Sequence, residues 1–397
     1  MRRSPTPSFA KSIFAMLIAA GALSVAAAPA AAHGGHHGSR RTDGAGFASR
    51  VFATGNAISH PIPGGSETIS QPDDITYLHG RIYVGFQNGV GPQGQPSGSE
   101  NVDSTIVAFD RSGRPVAEWD VAGKCDGLTA DPRLNRVIAT VNEDANSSLY
   151  LIDPHGGATQ YAYNEALPHN GGTDAISIYN GMVLISASAP GTTGTQSAPQ
   201  STFPAVYRAI FDGQTHVVTV TPLFYDEDAA TVATIGADNF GQTVNLALTD
   251  PDSNEVVPNF AARFAGDFML TSQGDEEQIF VQGAGTPWQQ LSVLSLRSSV
   301  DGLPTSVDDT AWPAGPRGTI YTTDNSDNSV YAITGPFRRG EVFVADTPCD
   351  ENSAPATCPA SGYPPNFLGE LNPWTGVISP VELAGSAPEP QGMLYLR

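Results

Sequence analysis

The feature that most restricts the fold is a rhythm. From residue 47 onward, short β-branched or aromatic runs recur, each bounded by Gly, Asn, Asp or Pro, and no amphipathic helical pattern of ten or more residues interrupts them. Such a pattern reads as strands separated by tight turns. Five segments align as one unit: DDITYLHGRIYVGF (73–86), CDGLTADPRLNRVIATVNED (125–144), TDAISIYNGMVLISAS (173–188), AGDFMLTSQGDEEQIFV (265–281) and VDDTAWPAGPRGTIYTTDNSDNSVYAI (307–333). A sixth, GEVFVADTP (340–348), matches only the second half. Third and fourth strands follow in places, as in TIVAFDRSG (105–113) and RPVAEWDVAG (114–123). Four short antiparallel strands in a repeat of about 40–55 residues make a β-propeller blade. The sequence therefore predicts an all-β fold: one propeller over 47–397, six-bladed by preference, with seven possible. Residues 227–264 parse poorly: TVNLALTDPDSNEVV reads either as a first strand plus an insertion or as most of an extra blade, and within it Asp250-Pro-Asp252-Ser-Asn254 reads as a turn with weak Ca²⁺-loop spacing. The final PEPQGMLYLR reads as one more first strand, able to close the ring beside an N-terminal strand near Arg50–Ala53.

Charge narrows the partners. There are 40 Asp plus Glu against 19 Lys plus Arg, a net charge of −21. Without a basic surface to displace counterions, nucleic acid is excluded as a partner. Residues 1–32 read as a secretory signal peptide: Arg2, Arg3 and Lys11 precede the apolar run Ile13–Ala26, and Ala30-Ala31-Ala32 offers a cleavage site. The expectation is an exported monomer, secreted or on the exterior of the cell envelope, with no membrane insertion. Residues 33–46 read as a flexible tail. Its His33, His36 and His37 suit either loose metal binding or plain solvation. Cys349 and Cys358 bracket a ten-residue loop and read as a disulfide, which export permits. Cys125 is then left over, as a buried hydrophobe or a reactive thiol.

Two stretches carry a resemblance. IYTTDNSDNSVYAI (320–333) resembles the YVTN-type propeller repeat. CDGLTADPRLNRVIATV (125–141) and QPDDITYLHGRIYVGF (71–86) resemble blades of the gluconolactonase and senescence-marker-protein superfamily. The resemblance implies the propeller fold. It also implies a divalent metal on the axis, held by a Glu, an Asn and an Asp, for a lactonase or esterase. Asp126 matches the Asp of the family's Asp-Gly-apolar motif, and Asp74 or Asp174 would take the place of the Asn. The family's first-blade Glu motif is not present.

In such blades, the residues just before each first strand ring one mouth of the central channel. Here they are Asp73/Asp74, Asp126, Thr173/Asp174, Asp308/Asp309 and Glu389/Gln391. The long insertions 85–104, 188–202 and 345–365 fall on the same face, which marks that face as functional. Two readings of the acids follow. Each could fix its own turn by accepting backbone N–H groups. Alternatively Asp74, Asp126, Asp174 and Asp309 could ring one divalent cation, Ca²⁺, Mg²⁺ or Mn²⁺. Lys124, Cys125, His169 and Gln391 are further candidates at that mouth. No GxSxG, HExxH or phosphate loop occurs, so no catalytic residue is assigned. The expectation is a module that binds a small molecule or an extracellular protein or polymer through its acidic face. The alternative is a metal-dependent lactonase- or esterase-type hydrolase.

Overall fold

The computed structural model describes residues 46–168, 172–188, 203–348 and 366–397. The predicted leader, the His-rich segment up to residue 45, His169 and the Cys349–Cys358 pair lie outside them. Apart from one 3₁₀ turn at Gly55–Ala57, the regular elements of the described residues are all strands.

The strands form six blades, each ordered from axis to rim. Blade 1 is Pro72–Leu78, Arg81–Phe86, Asp103–Phe109 and Pro115–Ala122. Blade 2 is Cys125–Asp131, Arg136–Val141, Ser148–Ile152 and Ala158–Tyr163. Blade 3 is Ile176–Tyr179, Met182–Ser186, Pro204–Asp212 and Val217–Tyr225. Blade 4 is Pro251–Val256, Phe268–Ser272, Glu277–Gln282 and Gln290–Ser295, with two more short strands on its rim. Blade 5 is Val307–Ala311, Val342–Asp346, Phe367–Asn372 and Val377–Pro380. Blade 6 is Met393–Leu396, Thr319–Asp324, Ser329–Thr334 and Phe47–Thr54.

The core is the set of seams between blades. Six apolar clusters exist among the described residues, one per pair of neighbours, and the sixth joins blade 6 to blade 1. This explains why the second strands read as nearly continuous apolar runs. In Arg81–Phe86, Ile82, Val84 and Phe86 face the blade 6 seam while Tyr83 faces blade 2. In Arg136–Val141, Val137, Ala139 and Val141 face blade 1 while Ile138 faces blade 3. Side chains alternate, but both faces of each blade are covered. Burying each such side chain stabilises by about 1.5–3 kcal/mol.

Blade 6 closes the ring. Its outer strand comes from the N-terminal side of the chain and pairs antiparallel with Ser329–Thr334. Its inner strand is the C-terminal Met393–Leu396, antiparallel to Thr319–Asp324. The last segment is thus the first strand expected of it, in the same blade as the strand near Arg50–Ala53.

Three expectations need correction. The unit 307–333 is divided between two blades: Val307–Ala311 pairs with Val342–Asp346, whereas 319–334 belongs to blade 6. GEVFVADTP is therefore the second strand of blade 5, with its first strand some thirty residues upstream. Residues 265–281 are not a first strand and its partner but the second and third strands of blade 4. The first strand of that blade is Pro251–Val256, the run expected to be a turn. Its Asp-Ser-Asn-Glu residues lack apolar alternation because an innermost strand faces a polar channel, not a core.

The inner strands share a defect that positions the site. Register slips between Pro72 and Ile75, Cys125 and Leu128, Pro251 and Asn254, and Val307 and Thr310. Each slip leaves two residues outside the ladder: Asp73-Asp74, Asp126-Gly127, Asp252-Ser253 and Asp308-Asp309. Bulges of this kind re-aim side chains.

Candidate functional site

All of the bulged residues but Gly127 line one axial cavity of about 1000 Å³. Among the described residues twelve acids border it, and Lys124 is its one basic residue. The predicted ring residues Asp74, Asp126, Asp174 and Asp309 all line it, as do Lys124 and Gln391. Loops between second and third strands add Gln87, Glu143 and Gln273, which places them on the predicted mouth face. Of the long insertions, 85–104 contributes Gly89, Val90 and Pro92 to the lining.

The four ring aspartates do different work. Asp74 Oδ1 accepts from Ile75 N at 2.6 Å, and Oδ2 accepts from Leu128 N of blade 2 at 2.5 Å. Asp309 repeats this between blades 5 and 6, accepting from Thr310 N at 2.6 Å and Met393 N at 2.5 Å. Both carboxylates thus tie one inner strand to the next. Burial nonetheless pushes both carboxyls up, and the charge of Asp309 adds to the rise at Asp74.

Asp126 belongs to an ion-pair cluster. Its Oδ1 accepts from Gln87 Nε2 at 3.1 Å and lies 3.1 Å from Lys124 Nζ. Lys124 also bonds to Glu143. Desolvation lowers the lysine's pKa, but Asp126, Glu143 and Asp73 outweigh it and raise it well above the ordinary value. Burial pushes the Asp126 carboxyl well up; Lys124 pulls it down and Glu143 pushes it up again. Asp126 Oδ2 is buried with no partner among the described residues.

Asp174 faces a different neighbour. It is hydrogen-bonded to Asp252, which holds Asp174 down and raises Asp252, while burial pushes both well up. Glu255 and Asp309 form a second such pair: burial raises both, and the contact between them adds to the rise at Glu255 and offsets part of it at Asp309. Each pair behaves as two carboxyls sharing a proton. Asp73 is raised by burial to about 7.

Asp252, Asn254 and Glu255 are the site residues that sequence reasoning missed. Asn254 lines the cavity; its Nδ2 donates to Ala175 O of blade 3 at 2.7 Å, which leaves its buried Oδ1 without a partner among the described residues. Their signal was the alternating Asp250-Pro-Asp252-Ser-Asn254 spacing, read as a turn. Cys125 is fully buried in the blade 1–2 seam, where Gly85 leaves room for its sulfur; burial and nearby carboxylates push the thiol well up. Among the described residues, no group of three or more His, Cys, Asp or Glu is placed to hold a metal ion.

The chain is a β-propeller whose axis is an acid-lined channel. No family model matches it, and no curated protein matches it. Solved structures similar to it include the periplasmic gluconolactonase PpgL of Pseudomonas aeruginosa, at 10% identity and TM-score 0.46, covering 88% of this chain and 99% of that one. A protein from Lactobacillus plantarum is similar at 9% identity and TM-score 0.45, covering 88% and 100%. A 6-phosphogluconolactonase candidate from Bacteroides fragilis is similar at 11% and 0.44, covering 90% and 99%. Likeness at this level carries nothing about activity; the fold rests on the closed ring of seams.

Proposed function

We propose that this protein is an exported binding module whose ligand site is the acid-lined axial channel. One observation carries the reading. Asp126, Asp252, Asn254, Thr347, Asn366 and Gln391, from four different blades, line one cavity, and each carries a buried side-chain oxygen with no partner among the described residues. Buried polar atoms are normally satisfied, and an exception repeated around one cavity marks a place where a ligand completes the bonding. The size of the cavity suits a small molecule.

The second reading, a divalent-metal-dependent hydrolase of the lactonase or esterase type, draws on Asp126 Oδ2. The remaining residues do not fit it. Asp74 and Asp309 use both carboxylate oxygens on backbone amides, and Asp126 already bonds Lys124 and Gln87. No catalytic step is assigned.

The test is a thermal-shift panel of divalent ions, organic amines, neutral polyols and sugar lactones, run on the protein and on Ser253→Trp, which fills the channel from blade 4. At least one class should raise the Tm of the parent and not of the filled variant. No shift with any class, or a shift that survives the filling, would sink the reading.

A further inference from the structure

The proposal concerns the chemical class of the ligand and rests on the channel being the binding site. Among the described residues that line the channel, the unpartnered side-chain atoms are carboxylate or amide oxygens and hydroxyls; none is a nitrogen. Oxygens of this kind are satisfied by a donor. Asn254 is the most informative of them. It is 4% exposed, its amide nitrogen is fixed on Ala175 O, and its Oδ1 is therefore an acceptor by geometry.

Lys124 shows what this channel does with an ammonium group. Its Nζ sits between Asp126 and Glu143 in blade 2. The residue two positions before the bulged aspartate is Lys124 in blade 2 but Asp250 in blade 4. Beside Asp252 the chain thus places another acid where blade 2 places a lysine, and among the described residues no other base lines the cavity. Asp174, Asp252 and Glu255 face the same space.

We propose that the ligand is an organic cation bearing a primary ammonium group, of the diamine or polyamine kind, seated against Asp252 Oδ2 and Asn254 Oδ1 opposite the site that Lys124 fills from within. An ammonium group supplies three donors and one positive charge, which suits two buried acceptors among carboxyls. A bare metal ion would need several oxygens converging on one point, and no group of three acids does so among the described residues. A neutral polyol would supply donors but no positive charge beside Asp174, Asp252 and Glu255.

The experiment is isothermal titration calorimetry on the full chain with spermidine and putrescine, and with sorbitol and Ca²⁺ as comparators. Spermidine is expected to bind one to one, with affinity falling at least tenfold between 50 and 500 mM NaCl. Asp252→Asn should weaken it at least tenfold. The exposed Asp238→Asn should leave it unchanged and so control for bulk charge. Glu255→Gln serves as a second variant should Asp252→Asn not fold. Failure of both amines to bind, or equal binding by Asp252→Asn and the parent, overturns the proposal. If sorbitol or Ca²⁺ binds and the amines do not, the ligand class is wrong while the channel remains the site. If no compound binds here and none shifts Tm in the wider panel, the channel reading falls as well.

Discussion

The two halves of the channel handle negative charge in opposite ways. On the blade 2 side, Asp126 and Glu143 share Lys124, and Gln87 completes the cluster. On the blade 4 side, Asp174 meets Asp252 and Glu255 meets Asp309, with no base among them. The first half is compensated by the chain itself. The second is compensated by shared protons and, in the reading above, by a ligand. Both halves are built from the same bulged inner strand, so the difference lies in single side chains and not in the fold. One position decides it, Lys124 against Asp250.

The largest effect should come from breaking the compensated half. Lys124→Met leaves the buried Asp126 and the partly buried Glu143 without their cation, a loss of about 3–5 kcal/mol. The melting temperature at pH 7.5 should drop by roughly 5–10 °C. Adding Asp126→Asn should restore at least half of that loss, which a double-mutant cycle by thermal melting reads directly. Additive losses would mean that Lys124 acts elsewhere.

The same kind of change in the other half should have the opposite sign. Asp252→Asn removes a carboxyl that burial raises well above its ordinary range. The amide can still donate to Asp174, so the pair survives without the buried charge. One pKa unit corresponds to about 1.4 kcal/mol, and a gain of at least ~1 kcal/mol at pH 7.5 is expected. A variant less stable than the parent would erase the contrast between the halves.

Acid should favour the whole molecule for the same reason. Asp73 and Asp346 are raised from 3.8 to about 7, and Glu277 from 4.5 to about 8, chiefly by burial. A carboxyl with a folded pKa above its unfolded value binds its proton more tightly when folded, so stability falls as pH rises between the two. Melting temperature measured without ligand should therefore decline from about pH 4.5 to pH 8. A curve rising across that window would mean that a cation already compensates the acids.

Much of this was legible in the sequence, and the reasons are physical. Second strands such as RIYVGF and RVIATV announced themselves because both of their faces are buried in seams. The hook acids Asp73, Asp126, Asp174 and Asp309 were legible because they repeat at one place in the blade. Pro251–Val256 was not, because an innermost strand beside a polar channel carries no apolar alternation. The exchange between blades 5 and 6 was hidden too. Strand content survives such a swap, and nothing local says that Val307–Ala311 pairs across thirty residues with Val342–Asp346. The division of labour between Asp74, which ties strands, and Asp126, which holds a lysine, depends on distances that spacing does not encode.

The smallest effect tests whether the halves differ in charge alone. Thr140 Oγ1 donates to Gly127 O in its own blade and to Asp174 O in the next, at 3.3 and 2.5 Å. Ser186 Oγ does the same one blade on, to Ala175 O at 3.2 Å and Asp252 O at 2.5 Å. Thr323 Oγ1 repeats it with Gly392 O and Asp73 O. These stitches cross from one inner strand to the next through backbone carbonyls and involve no ionisable group, so the charge contrast should not touch them. Thr140→Val and Ser186→Ala should each cost about 1 kcal/mol, and the two losses should agree within a few tenths of a kcal/mol at pH 5 and at pH 8 alike. A Ser186→Ala loss that grows with pH while the Thr140→Val loss stays flat would show that the blade 4 strand is held in place against its own unpaired charge. The contrast between the halves would then extend from side chains into the backbone.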